Sequence, residues 1–181
     1  MLLLKKPSRY SMMSKAARNE GAIKMRKSWR EKFENPPKGL PKIVKGPPKW
    51  EKTFGGRRVL VATPILVDGL IRKVKKGKLV TVNQIRGRLA KDFKADSTCQ
   101  ITTGIFIRIV SEVAEEDLKM GKKQVTPYWR VLREGGYLNE KYPGGTMAQV
   151  ARLRKEGHAI EPGKGKKPPR VKDFEEYLQK L

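Results

Sequence analysis

Gly77-Lys78-Leu79-Val80-Thr81-Val82-Asn83-Gln84-Ile85 holds the most informative local signal in this chain. It leaves a Lys75-Lys76-Gly77 turn and enters Thr81-Val82-Asn83-Gln84, which has the spacing of a capping box. In that motif a threonine hydroxyl accepts from the N–H three residues on, and the glutamine there reaches back to the threonine N–H. Ile85, Leu89 and Phe93 repeat behind it on one helical face, so a helix starts at this point.

Working outward, Arg58-Val59-Leu60-Val61 is a short β-type run, and Thr63-Pro64 supplies an N-cap with proline at the first helical position. Leu66, Val67, Leu70, Ile71 and Val74 continue as the stripe of an earlier helix. Downstream, a third helix begins near Ile101 to Thr103 and runs to about Met120, with Ile105, Phe106, Ile109, Val110 and Val113 as its apolar stripe. Its opposite edge carries Gln100, Thr103, Gly104 and Arg108. Tyr128-Trp129-Arg130-Val131-Leu132 and Tyr137-Leu138 then flank Arg133-Glu134-Gly135-Gly136, which predicts a hairpin. Thr146-Met147-Ala148-Gln149 offers a second capping box, and Gly157 ends the helix it opens. The expected fold is therefore mainly α with a small β-hairpin. Three helices, a hairpin and a helix are in winged helix-turn-helix order, in which the helix before the wing lies on nucleic acid.

Charge and punctuation divide the chain into three parts: residues 1–56, 57–160 and 161–181. The first is an arm with 15 basic and 4 acidic residues. Ser14 to Phe33 has helix-forming composition interrupted by Gly21, and predicts a helix that forms on a partner. Asn35 to Pro48 is punctuated by proline and glycine and reads as an extended basic strap. The middle part has the length and apolar content of one globular domain. The last part is a basic tail: a flexible Pro-Gly-Lys-Gly-Lys-Lys-Pro-Pro stretch, then a short helix over Lys172 to Leu181, whose Phe174, Tyr177, Leu178 and Leu181 are placed to dock on the core.

Across 181 residues, 42 Lys or Arg stand against 18 Asp or Glu, a formal net charge of +24, so a polyanion is the expected partner. No apolar run approaches the roughly 20 residues that span a bilayer, so no membrane association is expected. Met1 to Lys6 is too short for a secretory signal core, and one cysteine, Cys99, excludes a disulfide within the chain. A reducing, cytoplasmic compartment is the expectation. The alternative is mitochondrial import, since Met1 to Arg18 lacks acids and contains Arg, Ser and Met. With one cysteine and one histidine, His158, no Cys/His zinc site can be assembled, and no metal or cofactor is expected.

The Gly77 to Ile85 segment, Pro127-Tyr128-Trp129-Arg130-Val131, Gly135, and Tyr142-Pro143-Gly144-Gly145 before a last helix, in that order, resemble the alkylguanine-DNA alkyltransferase family. The likeness covers about Thr63 to Gly157. In that family a Pro-Cys-His-Arg-Val segment carries a nucleophilic cysteine, activated by its histidine, that takes the alkyl group from a flipped guanine. Tyr128 stands at the cysteine position and Trp129 at the histidine position. A phenol without a neighbouring base is a poor acceptor, so the resemblance implies a protein that is not an enzyme. The alkyltransferase-like branch of the family also lacks the cysteine, and it binds alkylated guanine and hands it to repair proteins. Val82 stands where the family has a tyrosine that helps rotate the nucleotide, and no arginine falls near Gln100 to Thr102, where the family has an intercalating one. Pro127 and Arg130 match the motif, and Gln84 and Gly104 fall at matching helical positions.

The expected nucleic-acid contacts are Gln84 and Arg86 on the second helix, and Gln100, Thr103, Gly104 and Arg108 on the third. Lys122, Lys123 and Arg133 flank the wing, and Tyr128, Trp129 and Arg130 surround a base, one aromatic of the pair turning into the core, with Trp129 the favoured core member. The opposing readings are a solvated helix face, ordinary core aromatics and surface ion pairs. Glu112, Glu115, Glu116 and Asp117 read as a solvated acidic face rather than a metal cluster. The favoured ligand is duplex DNA, bound by a monomer. The alternative is a ribosome-associated or other structured RNA, with the arm threading between RNA helices.

Overall fold

Thr81 caps the helix its spacing predicts: its hydroxyl accepts from the Gln84 N–H at 3.2 Å, and the Gln84 side-chain oxygen accepts from the Thr81 N–H at 2.9 Å. The structure, a computed structural model, describes residues 26–181. Its first part holds α1 (Trp29–Glu34), β1 (Lys42–Lys45), α2 (Trp50–Phe54) and β2 (Arg58–Val61). The central part continues with α3 (Pro64–Ile71), β3 (Val80–Thr81), α4 (Val82–Asp92), β4 (Ser97–Thr98), α5 (Gln100–Lys119) and β5 (Val131–Leu132). It closes with α6 (Gly145–Lys155), β6 (Ile160–Glu161) and β7 (Arg170–Val171). Short 3-10 turns occupy Tyr128–Arg130, Glu134–Gly136 and Phe174–Tyr177. The described chain is mainly helical with small sheets, as the periodicity predicts.

The helical core is α3, α4 and α5. Thr63 caps α3 with Pro64 following it, and Val67, Ile71, Ile85, Leu89, Phe106, Ile107 and Val110 interlock where the three helices meet. Each such side chain taken fully from water stabilises the fold by about 1.5–3 kcal/mol. A second apolar cluster of Leu79, Leu132, Leu138, Val150, Leu153 and Val171 joins α6 to the tail.

Five expectations change at the tertiary level. First, Ile105 does not belong to the buried stripe of α5: it is 52% exposed and Ile101 is 70% exposed. The helix turns Thr103, Phe106, Ile107, Val110 and Ala114 inward instead, because α3 and α4 pack on that side.

Second, the predicted hairpin does not form a ladder. The glycine turn closes through the Arg133 N–H donating to the Tyr137 carbonyl at 2.8 Å, but the residues on either side pair elsewhere. Val131 and Leu132 pair in parallel with Val80 and Thr81, and Tyr137 bridges to Arg170. A two-residue strand satisfies its backbone against whichever edge lies nearest, and here those edges come from distant sequence.

Third, the segment read as an extended basic strap is extended, and it is built into the fold as a strand. β1 pairs antiparallel with β2, Ile43 opposite Leu60, and forms the edge of a three-stranded sheet ordered β1-β2-β4. An edge position tolerates flanking proline and glycine because one side of the strand needs no partner. Only Trp29–Glu34 of the helix predicted over Ser14 to Phe33 is seen; it is capped by Ser28 and packs on α5. Residues 26–28 of that expected helix are not helical, and residues 14–25, with the Met1 to Arg18 segment, lie outside the described residues.

Fourth, α6 has no capping box. It starts at Gly145 after Gly144 in the left-handed region, and the side chain of Gln149 is used inside. Its amide donates to the carbonyls of Trp129 and Val131 at 2.9 and 3.2 Å, and its oxygen accepts from the Asn139 N–H.

Fifth, the tail helix is a single 3-10 turn, although Phe174, Tyr177 and Leu178 do dock on the second cluster.

Candidate nucleic-acid interface

The exposed face of α5 is built from Gln100, Ile101, Gly104, Ile105 and Arg108. At Gly104 a Cβ would meet nothing within 4 Å, so the face is open there and a groove wall can approach the backbone. Thr103 is not part of it: the residue is 0% exposed and its hydroxyl donates to the Cys99 carbonyl at 2.7 Å. Arg108 marks the far limit of the face, with its guanidinium 5.4 Å from the Trp29 ring and 3.6 Å from Glu112.

Arg86 joins this face to α4. Its Nε donates to the Thr98 carbonyl at 3.0 Å and one terminal nitrogen to Asn83 Oδ1 at 3.1 Å, which fixes the start of α4 beside the start of α5. The Asn83 amide donates in turn to the Glu134 carboxylate in the glycine turn. A shallow cleft of about 210 Å³ lies between Asn83, Arg86, Gly87, Ser97 and Thr98. Gln84 does not face outward. Beyond its cap, its amide donates to the Gln179 carbonyl at 3.2 Å and ties the tail to α4.

Tyr128, Trp129 and Arg130 come together, but around protein rather than around a vacant pocket. Tyr128, expected as the more exposed of the two aromatics, is 1% exposed, while Trp129 is half-buried. The Tyr128 ring meets Tyr142 edge to face at 5.2 Å and its hydroxyl donates to Glu115 Oε1 at 2.7 Å. Burial, with that carboxylate beside it, pushes the phenol above its ordinary range, so it stays protonated and is no nucleophile. The Trp129 indole donates to Glu156 Oε1 at 2.8 Å, and Arg152 sits 4.7 Å over its ring. Arg130 is clamped by Glu156 and donates to the Val74 carbonyl at 2.6 Å. An open cleft of about 490 Å³ lies beside the trio, lined by Arg72, Lys123, Val125, Pro127, Trp129 and Arg130.

Of the expected phosphate contacts, Lys122, Lys123 and Arg133 are all exposed, but Lys122 reaches back to Asp117 at 2.7 Å. The acidic side of α5 is not simply solvated. Arg30 and Lys122 hold Asp117, Arg30 lies 3.6 Å from Glu116, and Arg152 holds Glu115 at 2.5 Å. These contacts pin α1, the loop after α5 and α6 to that side. Among the described residues, no group of three or more His, Cys, Asp or Glu is placed to hold a metal ion. No helix there is long and apolar enough to cross a membrane.

Sequence reasoning missed Glu115, Asn83 and Glu156 as organising residues. Apart from the Asn83–Arg86 contact, the partners that matter (Tyr128, Glu134 and Arg130) lie at least 13 residues away in the chain, beyond the reach of any local spacing rule.

Comparison with protein-family models and with curated proteins finds no match. Among solved structures, the chain is similar to one from the crystal structure of S. pombe Atl1 in complex with damaged DNA containing O6-carboxymethylguanine. The identity is 18%, the match covers 65% of this chain and 94% of that chain, and the TM-score is 0.45.

Proposed function

We propose that the protein is a non-enzymatic DNA-binding protein that sets the first half of α5 against a duplex groove and holds the flanking phosphates with basic side chains. The observation that carries this reading is the exposed Gln100, Ile101, Gly104, Ile105 and Arg108 face in a chain of net charge +24. Two apolar side chains left in water beside an open glycine suit the floor of a groove, where methyl groups and sugars offer apolar contact. Lys, Arg and helix termini around such a face supply the sequence-independent part of the affinity.

The absence of enzymatic activity in this reading rests on Tyr128. It fills the position that the resemblance gives to an alkyl-accepting cysteine, and it is a buried, hydrogen-bonded phenol. The resemblance to the alkyltransferase-like proteins adds a finer reading, that an alkylated guanine in the duplex raises the affinity. In this conformation the Tyr128 ring is packed shut, so such a base enters by the cleft beside Trp129 and Pro127, where an indole face can stack on it.

The test is competitive binding at about 150 mM salt with a plain duplex, the same duplex carrying one 6-O-methylguanine, and a structured RNA. Duplex binding supports the reading, and a gain of tenfold or more from the lesion, about 1.4 kcal/mol, supports lesion sensing. RNA bound more tightly than every duplex overturns it in favour of a structural RNA-binding role.

A further inference from the structure

The tail does more than dock. β6 and β7 form an antiparallel pair, Ile160 opposite Val171 and Glu161 opposite Arg170, joined by the eight residues 162–169, Pro-Gly-Lys-Gly-Lys-Lys-Pro-Pro. Composition alone reads this stretch as a flexible link, but the structure makes it the tip of a fixed hairpin. The Lys167 N–H donates to the Lys164 carbonyl at 3.0 Å. Gly163 lies so close to the returning strand that a Cβ there would stand 2.5 Å from the Lys167 carbonyl oxygen. The base is anchored as well: the Leu138 N–H donates to the Pro169 carbonyl at 2.9 Å, Tyr137 bridges to Arg170, and Val171 is buried in the second core cluster.

The charges on this tip are unspent. Lys164, Lys166 and Lys167 are exposed and, among the described residues, none of them makes an ion pair. The neighbouring Glu161 is taken by Arg170 at 2.5 Å. A chain of direct contacts runs from this hairpin to the α5 face. Arg170 bridges to Tyr137 in the glycine turn, whose Glu134 holds Asn83, and Asn83 accepts from Arg86, which reaches the Thr98 carbonyl just before α5.

We propose that the Ile160–Val171 hairpin is a basic wing, and that Lys164, Lys166 and Lys167 grip the phosphate backbone of the duplex that α5 reads. The proposal rests on the DNA-binding reading above and places the flanking phosphate contacts in the tail, outside the domain that the sequence delimits. A tip closed by a strand pair and a turn hydrogen bond has less conformational freedom to lose on binding than an open tail, so three lysines held there contribute more.

The experiment uses the full chain. Binding to an undamaged duplex of about 20 base pairs is followed from about 50 to 300 mM salt for the wild type, for K164Q/K166Q/K167Q and for a control, K38Q/K42Q/K45Q. Because each phosphate contact contributes about 0.9 to the slope of log K against log salt, the hairpin variant is expected to lose about two to three from that slope. At about 150 mM salt it should also bind at least tenfold more weakly, with an unchanged melting temperature, and the control should lose clearly less. A hairpin variant whose slope stays within one unit of wild type, or a control that loses as much, overturns the hairpin's role while leaving duplex binding standing. A wild type that fails to bind duplex at all overturns both.

Discussion

Arg130 and Glu156 are 26 residues apart in sequence and form a bidentate, mostly buried ion pair, with Nε 2.9 Å from Oε2 and a terminal nitrogen 2.8 Å from Oε1. Glu156 also accepts from the Trp129 indole and from the Gly77 N–H, so one carboxylate ties the Tyr128–Arg130 turn, the end of α6 and the turn before β3 together. Removing one partner leaves the other charged and unpaired in a low-dielectric site. Glu156→Gln and Arg130→Ala are each expected to destabilise the protein by about 3 kcal/mol in chemical denaturation. The double variant R130M/E156L should recover most of that loss, and a double variant no better than the singles would refute this account of the pair.

The same site gives a pH dependence. Burial works to raise the Glu156 carboxyl, but hydrogen bonds from Arg130, Trp129 and the Gly77 backbone outweigh it and hold the group below the usual carboxylate range. Its contribution to stability is therefore present above the unfolded carboxylate value of about 4.3 and is lost as pH falls through the lower folded value. His158 acts at higher pH. Its ring is 3% exposed, neither nitrogen has a hydrogen-bond partner, and burial lowers its pKa, with Arg130 adding to that and Glu156 opposing it. The unfolded chain takes up the proton first, so stability should begin to fall as pH drops through about 6.5. His158 is the single histidine, so one imidazole resonance in a proton NMR titration reports it directly. A midpoint at or above 6.5 would contradict its burial.

The Tyr128 position should not be rescued as an enzyme by a single substitution. Tyr128→Cys places a thiol in a buried site against Tyr142, where burial favours the neutral form, Glu115 already pairs with Arg152, and Trp129 rather than histidine follows in the chain. The expected outcome is no transfer of labelled methyl from a 6-O-methylguanine duplex. Tyr128→Phe should cost about 1 kcal/mol, because Arg152 still satisfies Glu115 once the hydroxyl is gone. Label appearing on the Y128C protein would show that a base has been overlooked.

Exposed residues of α5 separate binding from folding. Ile101→Ser and Arg108→Ala are surface changes, expected to alter stability by no more than about 0.5 kcal/mol. Both should weaken duplex binding, and the arginine variant should also lower the salt slope by about one. Unchanged affinity in both would remove α5 from the interface.

Gly136 tests whether the tail is latched. Its φ of +77° lies in the left-handed region, and an added Cβ would stand 2.4 Å from the Phe174 ring. Gly136→Ala is expected to cost about 2 kcal/mol and to expose the tail to tryptic cleavage after Lys166 or Arg170. Equal protease resistance in the variant would mean that the tail is held elsewhere.

Much of this protein could be read before any coordinates. The starts of α3 and α4 are written in Thr63-Pro64 and in Thr81 with Gln84, because a cap is a contact over three residues. The extent of α5 follows from its apolar period, and the polyanion preference from +24 charges. What the sequence left open is which partner a short or ambiguous segment takes. Ile105 has the spacing of the core, yet it faces water because α3 and α4 cover the other side of α5. Val131 and Leu132 have strand character, but Val80 and Thr81 lie nearer than the other arm of their own turn. Arg130 has the chemistry of a phosphate ligand, and Glu156 from the end of α6 claims it first. Lys164, Lys166 and Lys167 read as a loose basic link until β6 and β7 close them into a tip. Local chemistry determined where elements begin and what charge the chain carries. Only packing decided which side chains were left free to meet a ligand, because a buried polar group takes whichever partner the fold brings within reach.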